Sequence, residues 1–167
     1  DEITLTPLEG HVVTALRLLY TDIEAINIVG SDSSIERIPK IRVRGSSEPL
    51  PLRSLGDGVN HMFGIILALT NAQNGIALID EIENGLHYSI QYEMWRLIFR
   101  LARILNIQVF ATTHSWDCIE AFQKAATEDE GQDGMLIRLQ RQGEDVVPTL
   151  FDERKLAIAT RNQIEIR

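Results

Sequence analysis

An acidic pair follows a short apolar run near the middle of the chain. The run Ile-Ala-Leu-Ile occupies residues 76–79, and Asp80 and Glu81 come directly after it. A continuous apolar run of this length is typical of a strand buried on both faces of a parallel sheet. At the end of such a strand, one carboxylate can hold Mg²⁺ while the other orients a water that attacks a phosphate. The structural alternative is a strand that simply ends in polar residues.

A histidine follows the next apolar run. Residues 107–111 predict a second buried strand, and the sequence Thr-Thr-His-Ser at 112–115 places His114 just beyond it. An imidazole at the carboxyl end of a strand can donate a hydrogen bond to a phosphate. A lone histidine can equally have a purely structural role, so the interpretation of His114 depends on its position relative to the acidic pair.

A third segment, Ser-Leu-Gly-Asp-Gly at residues 54–58, opens an apolar helix that we predict to run from Ser54 to about residue 72. Because small residues leave main-chain N–H groups accessible at a helix N-terminus, this segment is a candidate anion site. The structural alternative is an ordinary glycine-containing turn in front of a helix.

The spacing of the three segments predicts how they are positioned. Asp80 follows Ser54 by 26 residues and His114 follows Asp80 by 34, and each interval holds one predicted helix. The second helix, residues 88–105, carries its apolar side chains on one stripe: Ile90, Met94, Leu97, Ile98, Leu101 and Leu105. The order strand, helix, strand, helix predicts an α/β fold with a right-handed crossover. This fold brings the acidic pair and His114 to the same edge of a sheet.

The flanking segments predict smaller elements and divide the chain into three parts. Residues 1–53 combine a strand (1–6), a helix (7–20), two β segments (25–29 and 37–44) around a turn (30–33), and a loop (45–53). Residues 54–127 hold the candidate chemistry. Residues 128–167 begin with an acidic loop and continue with a hairpin (135–139 and 146–150), a short helix from Asp152 and a terminal strand or tail (163–167).

Composition sets further bounds on the class of protein. The 167 residues suit one compact domain, and fractions of 44% hydrophobic and 24% charged residues are ordinary for a globular protein. No apolar stretch approaches the about 18 residues needed to cross a membrane. The formal net charge of −8 makes the whole chain a poor candidate for electrostatic binding of nucleic acid. The single cysteine, Cys118, excludes an intrachain disulfide and favours a reducing, cytoplasmic compartment.

The order of the three segments resembles the C-terminal half of an ABC-like ATPase head of the AAA group. That group is related to the overcoming-lysogenization-defect ATPases and more distantly to SMC-type heads. Residues 54–58 look like a divergent signature motif, 76–81 like Walker B, 83–87 (Glu-Asn-Gly-Leu-His) like the D-loop, and 112–115 like the switch-histidine loop. The match covers residues 52–122 closely. It implies the parallel-sheet core of a P-loop NTPase, with a small β-hairpin near the C-terminus.

The resemblance implies ATP hydrolysis with Mg²⁺ as the cofactor, and it implies a role for each residue of the Walker B and switch motifs. Asp80 would hold Mg²⁺, Glu81 would polarise the attacking water, and His114 would contact the γ-phosphate of ATP. The proline that often follows the Walker B acids is Ile82 in this sequence. This departure argues against an assignment to the transporter-type ATPases.

The same resemblance implies a head-to-tail homodimer, because family signature motifs act on the ATP held by a second subunit. Ser54, Gly56 and Asp57 would contact that nucleotide, and Asn84 and Gly85 of the D-loop would lie at the same interface. The usual signature has two adjacent glycines after its serine, whereas a leucine and a single glycine follow Ser54. DNA or an effector protein is a further possible partner that the motifs do not decide.

The Walker A motif, the P-loop G-x-x-x-x-G-K-[ST], is missing from the printed sequence. The three lysines, Lys40, Lys124 and Lys155, follow proline, glutamine and arginine, so none follows a glycine. The chain also starts at Asp1 rather than at methionine. We therefore expect the C-terminal part of a longer ATPase with its Walker A segment upstream, or a split protein that carries this segment on another chain. Alone, the chain should bind ATP weakly or not at all.

Two other functions remain open from the sequence. Asp80, Glu81, Glu83 and His87 lie close together and could belong to a metal hydrolase, although their spacing matches no H-E-x-x-H or D-x-D pattern. The second alternative is a non-enzymatic module for dimerisation or regulation that has an incomplete nucleotide site. The missing Walker A motif favours this module, and the presence of Glu81 and His114 argues against it.

Overall fold

The computed structural model describes residues 7–30, 37–128 and 134–161. The first part of the chain forms an antiparallel sheet preceded by a helix: α1 (Pro7–Leu16), β1 (Ile23–Gly30), β2 (Arg37–Val43), β3 (Leu50–Pro51) and a 3-10 helix (Leu52–Leu55). The middle part alternates helices and strands: α2 (Asp57–Asn71), β4 (Ile76–Ile79), α3 (Tyr88–Leu105), β5 (Gln108–Ala111) and α4 (Trp116–Glu128). The last part is a hairpin and a helix: β6 (Leu136–Gln142), β7 (Asp145–Phe151) and α5 (Glu153–Arg161).

Strands β4 and β5 pair in parallel, as the order strand, helix, strand predicts. Their register runs from Ile76 opposite Gln108 to Ile79 opposite Ala111. The connecting helix α3 has the predicted bounds, and Asn106 ends it in the left-handed conformation with φ 53°. The carboxyl ends of the two strands therefore lie side by side, each at the point where a candidate site residue follows.

The burial predicted for both faces of these strands is wrong within the described residues. Ala77 and Ile79 are buried, whereas Ile76 is 60% and Leu78 is 77% exposed. On β5, Phe110 is 48% exposed. One face packs into the core, where α2 contacts β4, and the described part of the chain leaves the other apolar face largely open. The described parallel sheet has two strands, so the expected P-loop NTPase core is confirmed only in its α/β arrangement.

The N-terminal β segments pair as one antiparallel sheet in the order β1–β2–β3. Along β2, Ile41 and Val43 are buried while Arg42 is exposed, so one face of the strand packs into the core and the other faces solvent. Residues 50 and 51 add the short strand β3, where we expect only a loop. Helix α1 ends at Leu16, four residues before the predicted end at residue 20. The predicted elements at 1–6 and 163–167, and the turn at 30–33 apart from Gly30, lie outside the described residues.

The C-terminal hairpin and helix are confirmed with slightly longer strands than predicted. The carboxylate of Asp152 accepts a hydrogen bond from the N–H of Lys155 (2.8 Å) and caps α5. On the buried side of α5, Leu156 and Ala159 pack with Ile119 of α4 in a small apolar cluster. Among the described residues, no helix is both long and apolar enough to cross a membrane.

The N-terminus of α2 packs against the turn that follows β4. Residues 52–55 form the 3-10 helix, so α2 begins at Asp57 rather than at Ser54 as predicted. Between the two helices, Gly56 has φ 99°, a conformation that side chains on L residues rarely adopt. A Cβ on Gly58 would lie 2.5 Å from the carbonyl oxygen of Gly85, so the two backbones touch. The imidazole Nε2 of His61 reinforces this contact at 3.1 Å from the carbonyl oxygen of Ile82.

The contact between Gly58 and Gly85 predicts opposite effects for two alanine substitutions in the same helix. Gly58→Ala forces the backbone of the turn away and should lower the free energy of unfolding by about 1–3 kcal/mol. Gly64→Ala adds a methyl group in open space in the helix interior and should raise it by about 0.5–1 kcal/mol. Urea unfolding followed by circular dichroism measures both. Equal effects of the two substitutions would contradict the close approach.

Candidate functional site

Thr112 joins the acidic pair to the end of the neighbouring strand. Its hydroxyl donates a short hydrogen bond to Oδ1 of Asp80 and accepts one from the N–H of Glu81 at 2.9 Å. The main chain continues the ladder beyond the strands, because Thr112 N–H donates to the carbonyl oxygen of Ile79 (2.9 Å) and Ile82 N–H donates to that of Thr112 (3.1 Å). One residue at the end of β5 thus fixes both the side chain of Asp80 and the main chain of Glu81.

Glu81 has a backbone conformation that is uncommon for its residue type. Its φ of 47° lies in the left-handed region, which costs a residue with a Cβ about 1–2 kcal/mol. The hydrogen bond from its N–H to Thr112 and the next bond from Ile82 N–H hold this conformation in place. The side chain of Glu81 is 53% exposed, so its carboxylate stays accessible to water.

His114 lies between two carboxylates. Its Nδ1 is 4.0 Å from Oε1 of Glu81 and 3.7 Å from Oε1 of Glu83. The main-chain N–H of His114 also donates to Oε1 of Glu83 at 3.3 Å. The His114 side chain is 78% exposed, whereas that of Glu83 is 10% exposed. The structure therefore brings Asp80, Glu81 and His114 to one edge of the sheet. Glu83 is a buried fourth residue that contacts His114.

The loop that carries His114 is anchored to α4, and α4 is in turn bonded to α3. Ser115 Oγ accepts a hydrogen bond from the N–H of Cys118 (3.4 Å) at the start of α4. From α3, the indole Nε1 of Trp95 donates to the carbonyl oxygen of Cys118 (3.2 Å). Cys118 is buried, and burial raises the pKa of its thiol, which makes this cysteine a packing residue rather than a nucleophile.

The residues of the predicted signature and D-loop form a second group on the other side of the turn. Ser54 uses its hydroxyl to donate to the carbonyl oxygen of Pro51 (2.7 Å). Gly56 is the N-cap of α2, and no side chain caps the helix there. Asp57, in the first turn of α2, is exposed. The N-terminal amides of α2 thus have no side-chain partner at the cap.

Asn84 and Gly85 belong to this second group. Both residues are exposed in the turn after β4, where Gly85 lies against the main chain of Gly58. The N–H of Asn84 donates to the carbonyl oxygen of Glu81 at 2.8 Å, so the main chain of one short turn connects the two groups. Among the residues that the structure describes, no side-chain hydrogen bond joins Ser54 or Asp57 to the acidic pair or to His114.

Two residues at the site were not predicted as part of it. Glu83 enters the sequence argument as the first residue of the D-loop segment and through the metal-hydrolase alternative, and Thr112 enters it as the first residue of the switch-histidine loop; neither has a site role of its own there. Within residues 7–30, 37–128 and 134–161, no three His, Cys, Asp or Glu side chains form a metal-binding cluster, so that alternative gains no support. His87 instead caps α3, where its Nδ1 accepts from the N–H of Ser89 at 3.3 Å. The sequence signal for Glu83 is a third acidic residue two positions after Glu81, in the segment Asp-Glu-Ile-Glu.

A large open cavity adjoins the site. Its volume is about 1950 Å³, and it extends from β4 and β5 to β6. Apolar side chains line most of it, among them Leu78, Phe110 and Leu139, while Asp80 and His114 lie along its wall. Among the described residues β5 pairs only with β4, and all four residues of β5 line this space. The cavity therefore combines an apolar floor, an unpaired strand edge and the candidate reactive groups.

Comparison with known proteins identifies relatives at the level of sequence and of fold. A protein from Helicobacter pylori (strain ATCC 700392 / 26695) described as an ATP/GTP phosphatase is 30% identical over 131 residues, which cover 74% of this chain and 35% of that protein. The uncharacterized protein MJECL11 of Methanocaldococcus jannaschii is 31% identical over 96 residues, 58% of this chain and 83% of that protein. This chain thus spans about a third of the Helicobacter relative and most of the Methanocaldococcus one.

The α/β fold of this chain is similar to the folds of two solved structures of SMC-type ATPases. One comes from work on ATP-driven dimerization and DNA-stimulated activation of SMC ATPases; it has a TM-score of 0.62 at 9% identity and covers 96% of this chain and 92% of that chain. The other is an Smc head bound to the C-winged helix domain of ScpA, with a TM-score of 0.63 at 8% identity over 90% of this chain and 44% of that chain. The model of one sequence family, the AAA ATPase domain, matches residues 10–119. The chain belongs to this AAA ATPase domain family.

Proposed function

We propose that this chain is the C-terminal part of an ATP-hydrolysing head and supplies the Walker B, switch-histidine and signature groups. The observation that carries the proposal is the meeting of Asp80, Glu81 and His114 at the paired carboxyl ends of β4 and β5, where Thr112 holds the acidic pair. Sheets of this kind bind ligands at their carboxyl ends. Membership of the AAA ATPase domain family makes a nucleoside triphosphate the natural ligand.

The residues present fit a magnesium nucleotide. Asp80 offers a carboxylate, the hard oxygen ligand that Mg²⁺ prefers, and the hydroxyl of Thr112 fixes its orientation. Mg²⁺, when bound there, neutralises charge on the phosphates. Glu81 is half exposed and accepts no side-chain donor among the described residues, so it can orient and polarise the attacking water. His114 extends into solvent, where its imidazole can donate to the terminal phosphate.

The open apolar face of the sheet accommodates the segment that carries the missing Walker A motif. The cavity has the unpaired edge of β5 on one side, and the exposed side chains of Leu78 and Phe110 make burial there favourable. The printed sequence has no Walker A pattern, and the Helicobacter relative is about three times as long as the matched part. The occupant we propose is a strand-forming segment with a Walker A motif, from a longer form of the same protein or from a partner chain.

Dimerisation would complete the nucleotide site from the other side. Ser54, Gly56 and Asp57 at the uncapped start of α2, with Asn84 and Gly85 in the adjoining turn, form an exposed group suited to the phosphates held by a second copy. One structural neighbour belongs to work on ATP-driven dimerization and DNA-stimulated activation, and another binds a domain of ScpA. We propose that this chain also forms a homodimer. DNA or an effector protein is a further candidate partner.

The organisation proposed for the chain follows from these roles. Residues 54–127 form the catalytic core, residues 1–53 join it to the Walker A part, and residues 128–167 form the C-terminal hairpin and helix. A cytoplasmic location accords with the single buried thiol of Cys118. A non-enzymatic module for dimerisation or regulation is the second candidate, because the printed sequence has no Walker A motif. The two candidates differ in whether the completed protein hydrolyses ATP.

Substitution of the water-orienting carboxylate tests the enzymatic proposal. In protein that includes the Walker A segment, Glu81→Gln should reduce kcat at least about 100-fold, because the amide cannot polarise water, while ATP binding persists. Steady-state phosphate release and equilibrium ATP binding measure the two quantities. Glu48→Gln, in an exposed loop, is the matched control and should leave kcat unchanged. Unchanged turnover in Glu81→Gln would remove the role assigned to this residue.

The isolated chain should show the consequence of the missing motif directly. Without the Walker A lysine and the main-chain N–H groups of a P-loop, it lacks the main contacts to the β- and γ-phosphates. Calorimetric titration with ATP and Mg²⁺ should therefore show no saturable binding in the micromolar range, and the Walker A segment should restore saturation. Micromolar affinity of the chain by itself would refute this part of the proposal.

The docking face can be tested with a charge placed on it. Leu78→Glu puts a carboxylate on the open sheet face and should weaken association with the Walker A segment at least about tenfold, because burial of that charge is costly. The matched control is Ile104→Glu, at a 52% exposed position on α3 outside the cavity lining. Fluorescence anisotropy of the labelled segment measures both. Equal affinities of the two variants would show that the segment binds elsewhere.

A further inference from the structure

We infer that Glu83 is a positioning residue that holds His114, both through its main chain and through its imidazole. The inference rests on the proposed function, since it concerns the histidine that would contact the terminal phosphate. Glu83 lies in the turn after β4 and His114 lies in the loop after β5. A single carboxylate oxygen, Oε1 of Glu83, contacts two different atoms of His114.

The contacts of Glu83 differ in kind from those of Glu81. Oε1 of Glu83 accepts the main-chain N–H of His114 at 3.3 Å and lies 3.7 Å from Nδ1 of the ring. Glu81 approaches only the ring, at 4.0 Å, and its side chain is 53% exposed against 10% for Glu83. A buried carboxylate with one anchored oxygen keeps its position, whereas an exposed one is free to turn towards water. Glu83 is therefore suited to fix the histidine, and Glu81 to serve the attacking water.

The burial of Glu83 is difficult to explain by stability alone. Its second oxygen, Oε2, is buried and has no hydrogen-bond partner among the described residues. A buried carboxylate oxygen without a donor is unfavourable, and an apolar side chain of similar size is often at least as stable in such a place. The carboxylate at this position thus points to a role in the chemistry of the histidine.

That role follows from the two nitrogens of imidazole. A carboxylate 3.7 Å from Nδ1 favours the tautomer with its hydrogen on that nitrogen and favours a ring orientation that faces the carboxylate. The opposite nitrogen, Nε2, then points away from Glu83 towards solvent, where a phosphate would bind. The contacts with Glu83 therefore set the orientation of the ring and keep Nε2 on the side where the phosphate would bind. The main-chain bond keeps this geometry by fixing the backbone of His114 itself.

Two substitutions separate positioning from a structural role. Glu83→Gln keeps an acceptor for the N–H of His114, and Glu83→Leu removes it without leaving a cavity. In NMR spectra of the chain, Glu83→Leu should increase hydrogen exchange of the His114 amide about fivefold to tenfold and shift the ring ¹⁵N resonances away from the Nδ1-protonated pattern. Glu83→Gln should retain most of the amide protection. An exchange rate and ring resonances in Glu83→Leu that equal those of the wild type would overturn the inference.

Kinetics in protein that includes the Walker A segment form the second arm. Glu83→Leu should lower kcat about 10–100-fold with little change in KM, and Glu83→Gln should recover part of the loss. If Glu81→Gln abolishes hydrolysis but Glu83→Leu leaves kcat unchanged, the positioning role fails and the proposed function stands. If neither substitution affects hydrolysis, the proposed function fails. Thermal unfolding of Glu83→Leu should stay close to that of the wild type, because removal of the unpaired buried oxygen offsets the loss of the acceptor for the His114 N–H. A similar unfolding temperature excludes misfolding as the cause of lost activity.

Discussion

The parallel pairing of β4 with β5 is the interaction on which the arrangement of this site depends. Parallel strands end at the same edge of the sheet, so the residues that follow the two strands lie side by side. Thr112 extends the pairing by one residue, because its main chain bonds Ile79 and Ile82 while its hydroxyl bonds Asp80 and the N–H of Glu81. A shift of the register by one residue would turn every side chain on the strand to the opposite face and separate these groups.

The sheet formed by β4 and β5 has one open apolar face. A parallel sheet needs cover on both faces, yet the described residues cover only one, and Leu78 and Phe110 remain exposed beside a cavity of about 1950 Å³. Apolar residues on the uncovered face are a cost to an isolated chain, since exposed apolar patches promote association. Their presence agrees with a sheet that other strands extend and a face that another segment covers.

The sequence predicted elements well where the signal was local and poorly where it depended on the surroundings. Helix α3 was predicted with correct bounds because its apolar stripe and the terminal Asn106 are local signals. The strand β4 was predicted correctly, but its burial was not. An apolar run indicates that side chains favour burial, and it does not indicate which segment of the protein covers them. The start of α2 was placed too early, because the positive φ of Gly56 breaks the helix between two segments that both favour it. The pairing of Glu83 with His114 joins residues 31 apart, and no periodicity encodes such a contact.

The turn after β4 connects the separate parts of the site through hydrogen bonds. Its residues bond to three different places: Ile82 N–H donates to Thr112 after β5, the carbonyl oxygen of Ile82 contacts His61 on α2, and Oε1 of Glu83 accepts the N–H of His114. Each bond is modest by itself, about 1 kcal/mol, but together they leave the turn little freedom to move by itself. A displacement of α2, for example by a partner bound at its N-terminus, would therefore be transmitted to the acidic pair through the main chain. Because Glu83 lies in the same turn, the displacement would also reach His114, which would couple the proposed signature segment, residues 54–58, to the proposed reactive groups.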